Sequence, residues 1–257
     1  MFLAYTVSGL FVGVLVGLTG VGGGSLMTPL LTLLFGFSPA TAVGTDLAFA
    51  SITKGFGTLA HRAHGHVRWD IVRRLSLGSL PAAALTIGVL KSAGELDGPV
   101  LHAIRVTIGV SVLLTVLSLL FRRQLLAWLA RRPQYQLTGA RQANATVLVG
   151  AVIGVLVTLS SIGAGAVGAT LILLLYPQLR AAEVAGTDIA YAVPLTAVAA
   201  LGHVWLGTVH WNLLGALLVG SIPGIWLGAQ LSKQLPERLV RGALATVLTF
   251  VAIKLVS

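Results

Sequence analysis

The chain of 257 residues is 56% hydrophobic and only 9% charged. Soluble domains carry about a quarter charged residues, so the excess apolar surface requires lipid as its solvent. The net charge of +10 does not indicate nucleic-acid binding, because the basic residues lie between apolar runs and form no polar basic domain. The lack of cysteine excludes disulfides, thiolate metal sites and cysteine nucleophiles.

Ten apolar runs follow one another along the chain. They occupy residues 3–19, 26–36, 40–60, 71–90 and 101–121 and, after a basic linker, 143–160, 166–176, 183–203, 212–231 and 239–256. Most approach the roughly 20 residues that a membrane-spanning helix needs. The runs 26–36 and 166–176 would rise only about 16 Å as helices, about half of the hydrocarbon core. No basic segment precedes the first run, so we expect a retained membrane segment and not a signal peptide.

The two sets of five runs are copies of one sequence unit. Residues 13–24 align with 154–165, and with one residue inserted 44–81 aligns with 186–223 without a gap. The identical pairs include Gly44/Gly186, Thr45/Thr187, Asp46/Asp188, Trp69/Trp211 and Pro81/Pro223. Chance similarity between apolar helices would not keep these landmarks in step, so the sequence indicates an internal duplication.

The basic residues indicate that the two halves are inverted. Lys and Arg concentrate in 61–74, 122–142 and 232–241, and such loops face the cytoplasm. The excess of basic residues changes sides between equivalent loops, because the loop 61–74 is basic whereas the equivalent loop 204–211 has no Lys or Arg. An odd number of segments in each half, five, produces this inversion.

These patterns predict an all-α, polytopic membrane protein. It consists of two inverted five-segment repeats, 1–121 and 143–257, joined by a basic cytoplasmic linker, 122–142, with half-length helices after Gly-rich breaks. Inverted repeats are typical of secondary transporters, which hold substrate near the membrane midplane between the repeats. A duplicated scaffold without transport is the plainer alternative. We expect a multi-pass protein of the cell (inner) membrane; its oligomeric state stays open, a homodimer included.

The Gly-rich breaks form the first candidate site. Backbone released from helical pairing cannot face lipid, because each unsatisfied group costs several kcal/mol. The half-length helices start at the breaks, so their free N–H groups and positive dipole ends lie in the membrane and suit an anion. The plainer interpretation is that the glycines only permit close helix packing. The candidate substrate-binding residues are Thr19, Gly22, Gly23, Gly24, Ser25, Ser160, Ser161, Gly163 and Gly165.

Two duplicated Thr-Asp pairs form the second candidate site. Thr45-Asp46 and Thr187-Asp188 lie about one and a half turns inside their predicted helices. Ionisable residues within membrane segments are costly and usually functional. Each aspartate would carry a proton, or would only brace its helix by accepting hydrogen bonds from nearby Ser and Thr. We therefore predict proton coupling or site support for these four residues.

Other polar residues receive simpler interpretations. Lys54 has no counterpart, because Thr196 takes the equivalent place. We expect its ammonium group to snorkel to the cytoplasmic headgroups, with a charge in an anion path as the alternative. The histidines have no acidic or cysteine partner in the sequence, so we predict neither a metal site nor a cofactor.

Two segments carry a resemblance to a known family: residues 17–24, followed by Pro29, and residues 42–46. They resemble the sulfite exporter TauE/SafE family of bacterial and archaeal membrane permeases. The resemblance covers nearly the whole chain except 122–142. It implies export of sulfite, organosulfonates or related small sulfur anions, coupled to proton movement. The second Gly-rich segment differs from the first, so the site is not fully symmetric: Gly20, Gly23 and Ser25 become Ser161, Ala164 and Ala166.

We therefore predict a secondary transporter, not an enzyme, that exports sulfite or an organosulfonate with protons. Its predicted partners are this anion, protons and the lipid bilayer, and not nucleic acid. Three alternatives stay open. A passive anion channel would leave the duplicated carboxylates unexplained. A cation/proton antiporter would place the C-termini of the half-length helices at the site. An intramembrane phosphatase would need Glu, Ser and Arg clustered at the membrane centre.

Overall fold

The computed structural model describes residues 2–19, 24–63, 65–94, 98–132 and 136–231, together with residues 242 and 246. Within these ranges the chain forms helices and no strand. The helices are α1 (Phe2–Thr19), α2 (Gly24–Leu33), α3 (Pro39–Ala63), α4 (Trp69–Ser92), α5 (Gly98–Ala130), α6 (Gly139–Ser160), α7 (Ala166–Leu175), α8 (Ala181–Trp205) and α9 (Trp211–Leu231). Five of them, α4, α5, α6, α8 and α9, are long and apolar enough to cross a membrane. The predicted all-α, polytopic class is confirmed.

Helix α5 is longer than the apolar run that predicts it. Its 33 residues rise about 50 Å, more than the roughly 30 Å of the hydrocarbon core. The apolar run ends at residue 121, but the next nine residues are mostly good helix formers, and a proline follows only at position 133. The helix therefore continues into the first part of the predicted linker.

Each half-length helix returns to the side of the membrane on which the preceding helix begins. The hydroxyl of Tyr176, directly after α7, lies 2.8 Å from the hydroxyl of Thr146, near the start of α6. In the first half the ring of Phe35, just after α2, packs edge-on against Tyr5, near the start of α1, with centroids 5.0 Å apart. Both α1–α2 and α6–α7 are thus re-entrant hairpins, and the starts of α2 and α7 lie at their deep ends.

Two helix pairs, α1 with α9 and α4 with α6, pack so closely that their backbones touch. A Cβ atom at Gly220 would collide with the carbonyl of Thr6, and one at Gly78 would collide with the carbonyl of Val147. Small residues permit such approach between membrane helices. Gly13 of α1 likewise lies against Ser221 of α9, and Gly154 of α6 against Ser79 of α4. In the alignment of the two halves Gly13 corresponds to Gly154 and Ser79 to Ser221, so the same interface occurs twice.

The central pair, α3 and α8, runs antiparallel. Gly44, near the start of α3, lies against His203, near the end of α8. Gly186, near the start of α8, lies against His66, just after α3. Since α3 and α8 are equivalent helices of the two halves, their opposite directions agree with inverted repeats. The last predicted segment, 239–256, lies outside the described residues except for positions 242 and 246.

The outer helix faces carry large apolar side chains. Leu85 is 71% exposed, Leu148 66% and Leu201 69%. Such a surface would be unfavourable in water. In a membrane protein it is the surface that meets the lipid chains.

Gly78→Val should destabilise the protein by about 2 kcal/mol or more, because the added side chain forces α4 and α6 apart. The matched control is Gly88→Val in the same helix, where an added Cβ would meet nothing within 4 Å. Thermal unfolding of both purified variants in detergent measures the difference. Equal stabilities would show that the close approach of α4 and α6 is not needed for folding.

Candidate functional site

The chain between α6 and α7 leaves helical geometry at residues 161–165. Ser161 adopts the left-handed region with φ 59°, and Gly163 and Gly165 have φ values of 131° and 143°. The last two values are accessible at low cost only to glycine. The N–H of Gly168 donates to the carbonyl of Gly163 over 2.8 Å. The predicted glycines therefore form the turn that starts α7 inside the membrane.

Asp188 lies at the positively polarised start of α7. Its carboxylate interacts with the backbone N–H of Gly165. Its Oδ1 atom lies so close to Gly168 that no Cβ would fit there. An anion at a helix start is stabilised by the free N–H groups and the helix dipole. The position that the sequence assigned to a substrate anion thus already faces a carboxylate of the protein.

Asp46 bridges the two halves. Thr28, in α2, donates a 2.6 Å hydrogen bond to Asp46 Oδ2, and the side chain of Ser161, in the second break, lies beside the same carboxylate. Asp46 is fully buried. The two aspartates of the duplicated pairs therefore both contact half-length helices or their breaks.

Lys54 does not snorkel to the membrane surface, so this prediction was wrong. The residue is only 9% exposed, and its Nζ donates to the carbonyl of Ala164 over 2.9 Å. The ammonium interacts electrostatically with both Asp46 and Asp188. The sequence showed how far Lys54 lies from the basic loop, but it did not show on which face of α3 the side chain lies. In the structure this face packs against the second break.

Several polar atoms around this break are buried without a hydrogen-bond partner. They are Asp46 Oδ1, Ser79 Oγ, Ser161 Oγ, Asp188 Oδ1 and Tyr191 Oη. Leaving such an atom unpaired costs about 1–3 kcal/mol, so each one requires an explanation. Tyr191 interacts with both Asp188 and Ser79, which links these groups to the two aspartates and Lys54. We call these six residues the polar centre: Asp46, Lys54, Ser79, Ser161, Asp188 and Tyr191.

The polar centre lies deep in the membrane-crossing part of the fold. Helices α3 and α8 each have 25 residues, or about 37 Å. Asp46 and Asp188 lie about 10 Å along their helices, and Lys54 lies about 22 Å along α3. Because α3 and α8 are antiparallel, these charged groups lie on either side of the middle of the bundle.

Ser160 has a structural role in the described contacts. Its hydroxyl donates to the carbonyl of Leu156 over 2.6 Å and accepts the N–H of Ile162 over 3.1 Å. It also lies 3.1 Å from the hydroxyl of Ser111. These bonds pair backbone groups where α6 ends, so Ser161, and not Ser160, has the open hydroxyl.

The first break is described only in part. Gly24 is the first residue of α2. Gly22 and Gly23 lie outside the described residues, as do the side chains of Thr19 and Ser25. Their assignment to a substrate site stays a prediction.

Thr45 and Thr187 brace the opposite half. The hydroxyl of Thr187 accepts the backbone N–H of Arg68 over 3.0 Å, and that of Thr45 accepts the N–H of His210 over 3.0 Å. Arg68 and His210 are equivalent positions directly before α4 and α9, where N–H groups lack intrahelical partners. The contacts thus stabilise the starts of α4 and α9, and the predicted role of the two threonines in proton coupling or site support stays a prediction.

Four residues near the centre were not predicted from the sequence: Thr28, Ser79, Gly168 and Tyr191. Tyr191 follows Asp188 by three residues, a spacing that places both on one helix face, so its position was accessible to sequence reasoning. Ser79 belongs to the duplicated pattern Gly-Ser-x-Pro, which occurs at residues 78–81 and 220–223. The contacts of Thr28 and Gly168 depend on how the re-entrant hairpins pack, and no sequence pattern indicates them.

The sequence profile of the sulfite exporter TauE/SafE family matches residues 5–255. The chain belongs to this family. The resemblance seen in the Gly-rich and Gly-Thr-Asp motifs is confirmed, and the match extends through the last predicted segment.

Curated relatives in the family are named as membrane transporters. The chain is 37% identical to the probable membrane transporter protein YjnA of Bacillus subtilis (strain 168) over 257 residues, which is 100% of both chains. It is 29% identical over 233 residues to the probable membrane transporter protein YdhB of the same organism, covering 90% of this chain and 91% of YdhB. A probable membrane transporter protein of Xylella fastidiosa (strain Temecula1 / ATCC 700964) is 29% identical over 237 residues, 89% of this chain and 84% of that protein. No solved structure matches.

Family membership, these relatives and the apolar helices identify a multi-pass membrane transporter. The polar centre is the part of the described fold in which charged groups lie away from the membrane surfaces. It is therefore the candidate site for the transported species.

Thr187→Val should lower the free energy of unfolding by about 1–3 kcal/mol, because the N–H of Arg68 loses its acceptor while the side-chain shape is kept. The matched control is Thr107→Val in α5, whose exposed hydroxyl bonds only within its own helix, to the carbonyl of Ala103. Unfolding in detergent reports stability. A stable variant with altered transport would instead assign Thr187 to the transport chemistry.

Proposed function

We propose that this transporter is a secondary carrier of the cell (inner) membrane that exports a small anion, sulfite or an organosulfonate, coupled to protons. The substrate would bind at the polar centre, near the membrane midplane and between the two halves. The observation that carries the proposal is the set of buried, unpaired polar atoms around a break that also holds a lysine ammonium group.

Three features of the centre favour an anion. Lys54 supplies a positive charge, the start of α7 supplies backbone N–H groups, and Ser161 supplies a hydroxyl without a partner. Charged and hydroxyl donors of this kind match the oxygen atoms of sulfite and sulfonate groups. The sulfur chemistry itself is supported by the family, whose name describes sulfite export.

The two carboxylates explain why protons would be coupled to the anion. Two like charges 4 Å apart repel by about 4 kcal/mol at an effective dielectric constant of 20. An anion at the start of α7 therefore requires that Asp188, Asp46 or both be protonated. A protonated carboxyl group also becomes a hydrogen-bond donor. Anion and proton would then bind together, and anion affinity would rise as pH falls.

A cation/proton antiporter is the second candidate. The observation in its favour is that Asp46 and Asp188 each retain one oxygen atom without a partner. Two ionised carboxylates would bind a cation, and protons would displace it, so cation affinity would rise with pH. The two candidates thus predict opposite signs of pH dependence.

We expect methanesulfonate to stabilise the purified protein against thermal unfolding, and its affinity to increase as pH falls from 8 to 6. One coupled proton changes the affinity by at most about tenfold per pH unit. A sulfonate is chosen because it keeps its charge in this range, whereas sulfite does not. Stabilisation only by sodium or potassium, stronger at high pH, would support the antiporter and contradict the anion carrier.

The same titration on Asp46→Asn and Asp188→Asn identifies the coupled carboxylate. The amide resembles the protonated acid, so the variant of the coupled residue should bind methanesulfonate independently of pH. Asp70→Asn is the control, because Asp70 is exposed at the start of α4. In proteoliposomes with the membrane potential clamped at zero, an imposed pH gradient should drive the anion against its own concentration gradient, which a passive channel cannot do.

Gly168→Ala should reduce methanesulfonate affinity at least about tenfold, because the new methyl group would fill the space at the start of α7 that the anion and the protonated Asp188 carboxyl group would share. Gly215→Ala, on a helix position where a Cβ meets nothing within 4 Å, is the control. Unchanged affinity in folded Gly168→Ala would remove the start of α7 from the binding site.

A further inference from the structure

Lys54 is the single Lys or Arg among the buried side chains of the described residues. The other Lys and Arg side chains that the structure describes are half-buried or exposed. Burying an ammonium group in a membrane protein is strongly unfavourable unless a specific partner stabilises it. Its position therefore requires a partner or a function.

The partner in the structure is neutral. Lys54 Nζ donates to the Ala164 carbonyl over 2.9 Å, and that carbonyl lies between two glycines with positive φ. The salt bridges within 4.0 Å in the described part of the chain are Arg68–Asp70 and Arg180–Glu183. Lys54 thus interacts with both aspartates from a greater distance. An ammonium group has three N–H donors, and a carbonyl at one of them leaves the others available for a ligand.

The charge of the polar centre depends on this one side chain. With Lys54 replaced by a neutral residue, the centre would hold two carboxylates and no cation, which is a binding site for cations or protons. With Lys54 present and one carboxylate protonated, the centre is neutral and offers N–H and O–H donors. With both protonated it carries one positive charge.

We infer that Lys54 is the specificity-determining residue that makes the polar centre select an anion over a cation, with the ammonium group contacting the sulfite or sulfonate oxygen atoms directly. This inference rests on the proposed function. It follows from the position of the ammonium group at the second break, between two carboxylates that each have an unpaired oxygen atom.

The duplication provides a mirrored position for the charge. Thr196 is the equivalent of Lys54. It is buried at 1% exposure, and its hydroxyl bonds only within its own helix, to the carbonyls of Ala192 and Val193. The double variant Lys54→Thr/Thr196→Lys therefore moves the ammonium group to the equivalent place in the other half without changing the composition of the chain.

The experiment compares the binding of methanesulfonate and of sodium to the full-length purified protein by thermal shift at constant pH. Lys54→Thr and Lys54→Gln should lose anion affinity at least tenfold and gain stabilisation by sodium. Lys54→Arg should keep the anion preference, and the double variant should recover part of it. Lys91→Thr is the matched control, because Lys91 is exposed and lies over the ring of Trp205.

The outcomes separate the inference from the proposed function. If the wild-type protein binds no anion, the proposed function fails. If the wild-type protein binds methanesulfonate and a folded, monodisperse neutral variant binds it equally well, the inference fails. The glutamine variant retains a donor for the Ala164 carbonyl, so it decides the question if the threonine variant does not fold. A loss of anion binding without any gain of sodium binding would assign Lys54 a packing role and overturn the inference.

Discussion

Backbone that leaves a helix inside a membrane must find all its hydrogen-bond partners within the protein, because lipid offers none. The segment between α6 and α7 meets this requirement with groups from several elements. Ser160 accepts the N–H of Ile162, Gly163 accepts that of Gly168, and Lys54 donates to Ala164. Two of these bonds are local, but the Lys54 ammonium group comes from a distant part of the sequence, so the requirement that the break be satisfied also brings a charged side chain to it.

The packing of the helices is repeated in the two halves, but the lysine of the polar centre is not. The close packing of α1 on α9 recurs in α4 on α6, and the two threonine contacts to the loops before α4 and α9 are reciprocal. A difference appears at the polar centre, where Lys54 has no charged equivalent, because Thr196 takes the aligned position. The duplicated scaffold thus surrounds an asymmetric centre.

Sequence reasoning singled out several residues of the polar centre, and its failures have a common cause. Asp46, Asp188, Ser161 and the second break were predicted, because duplicated polar residues in apolar helices are conspicuous. Lys54 was assigned to the membrane surface, because the distance to a basic loop can be read along the chain but the direction of a side chain cannot. The sequence also did not indicate that Asp188 faces the start of α7. All of α7 and the first turns of α8 separate these two positions along the chain.

The sequence by itself determined the membrane environment, the helical class, the duplication and the half-length helices. Each of these follows from local composition, from run length or from the comparison of one half with the other. Only the tertiary structure decided which polar groups meet. Helix rotation and hairpin packing set these contacts, and both depend on the fit of entire helix surfaces, such as the glycine faces of α6 and α9. The position of Lys54 belongs to this second class, because the lysine of one half reaches a carbonyl of the other.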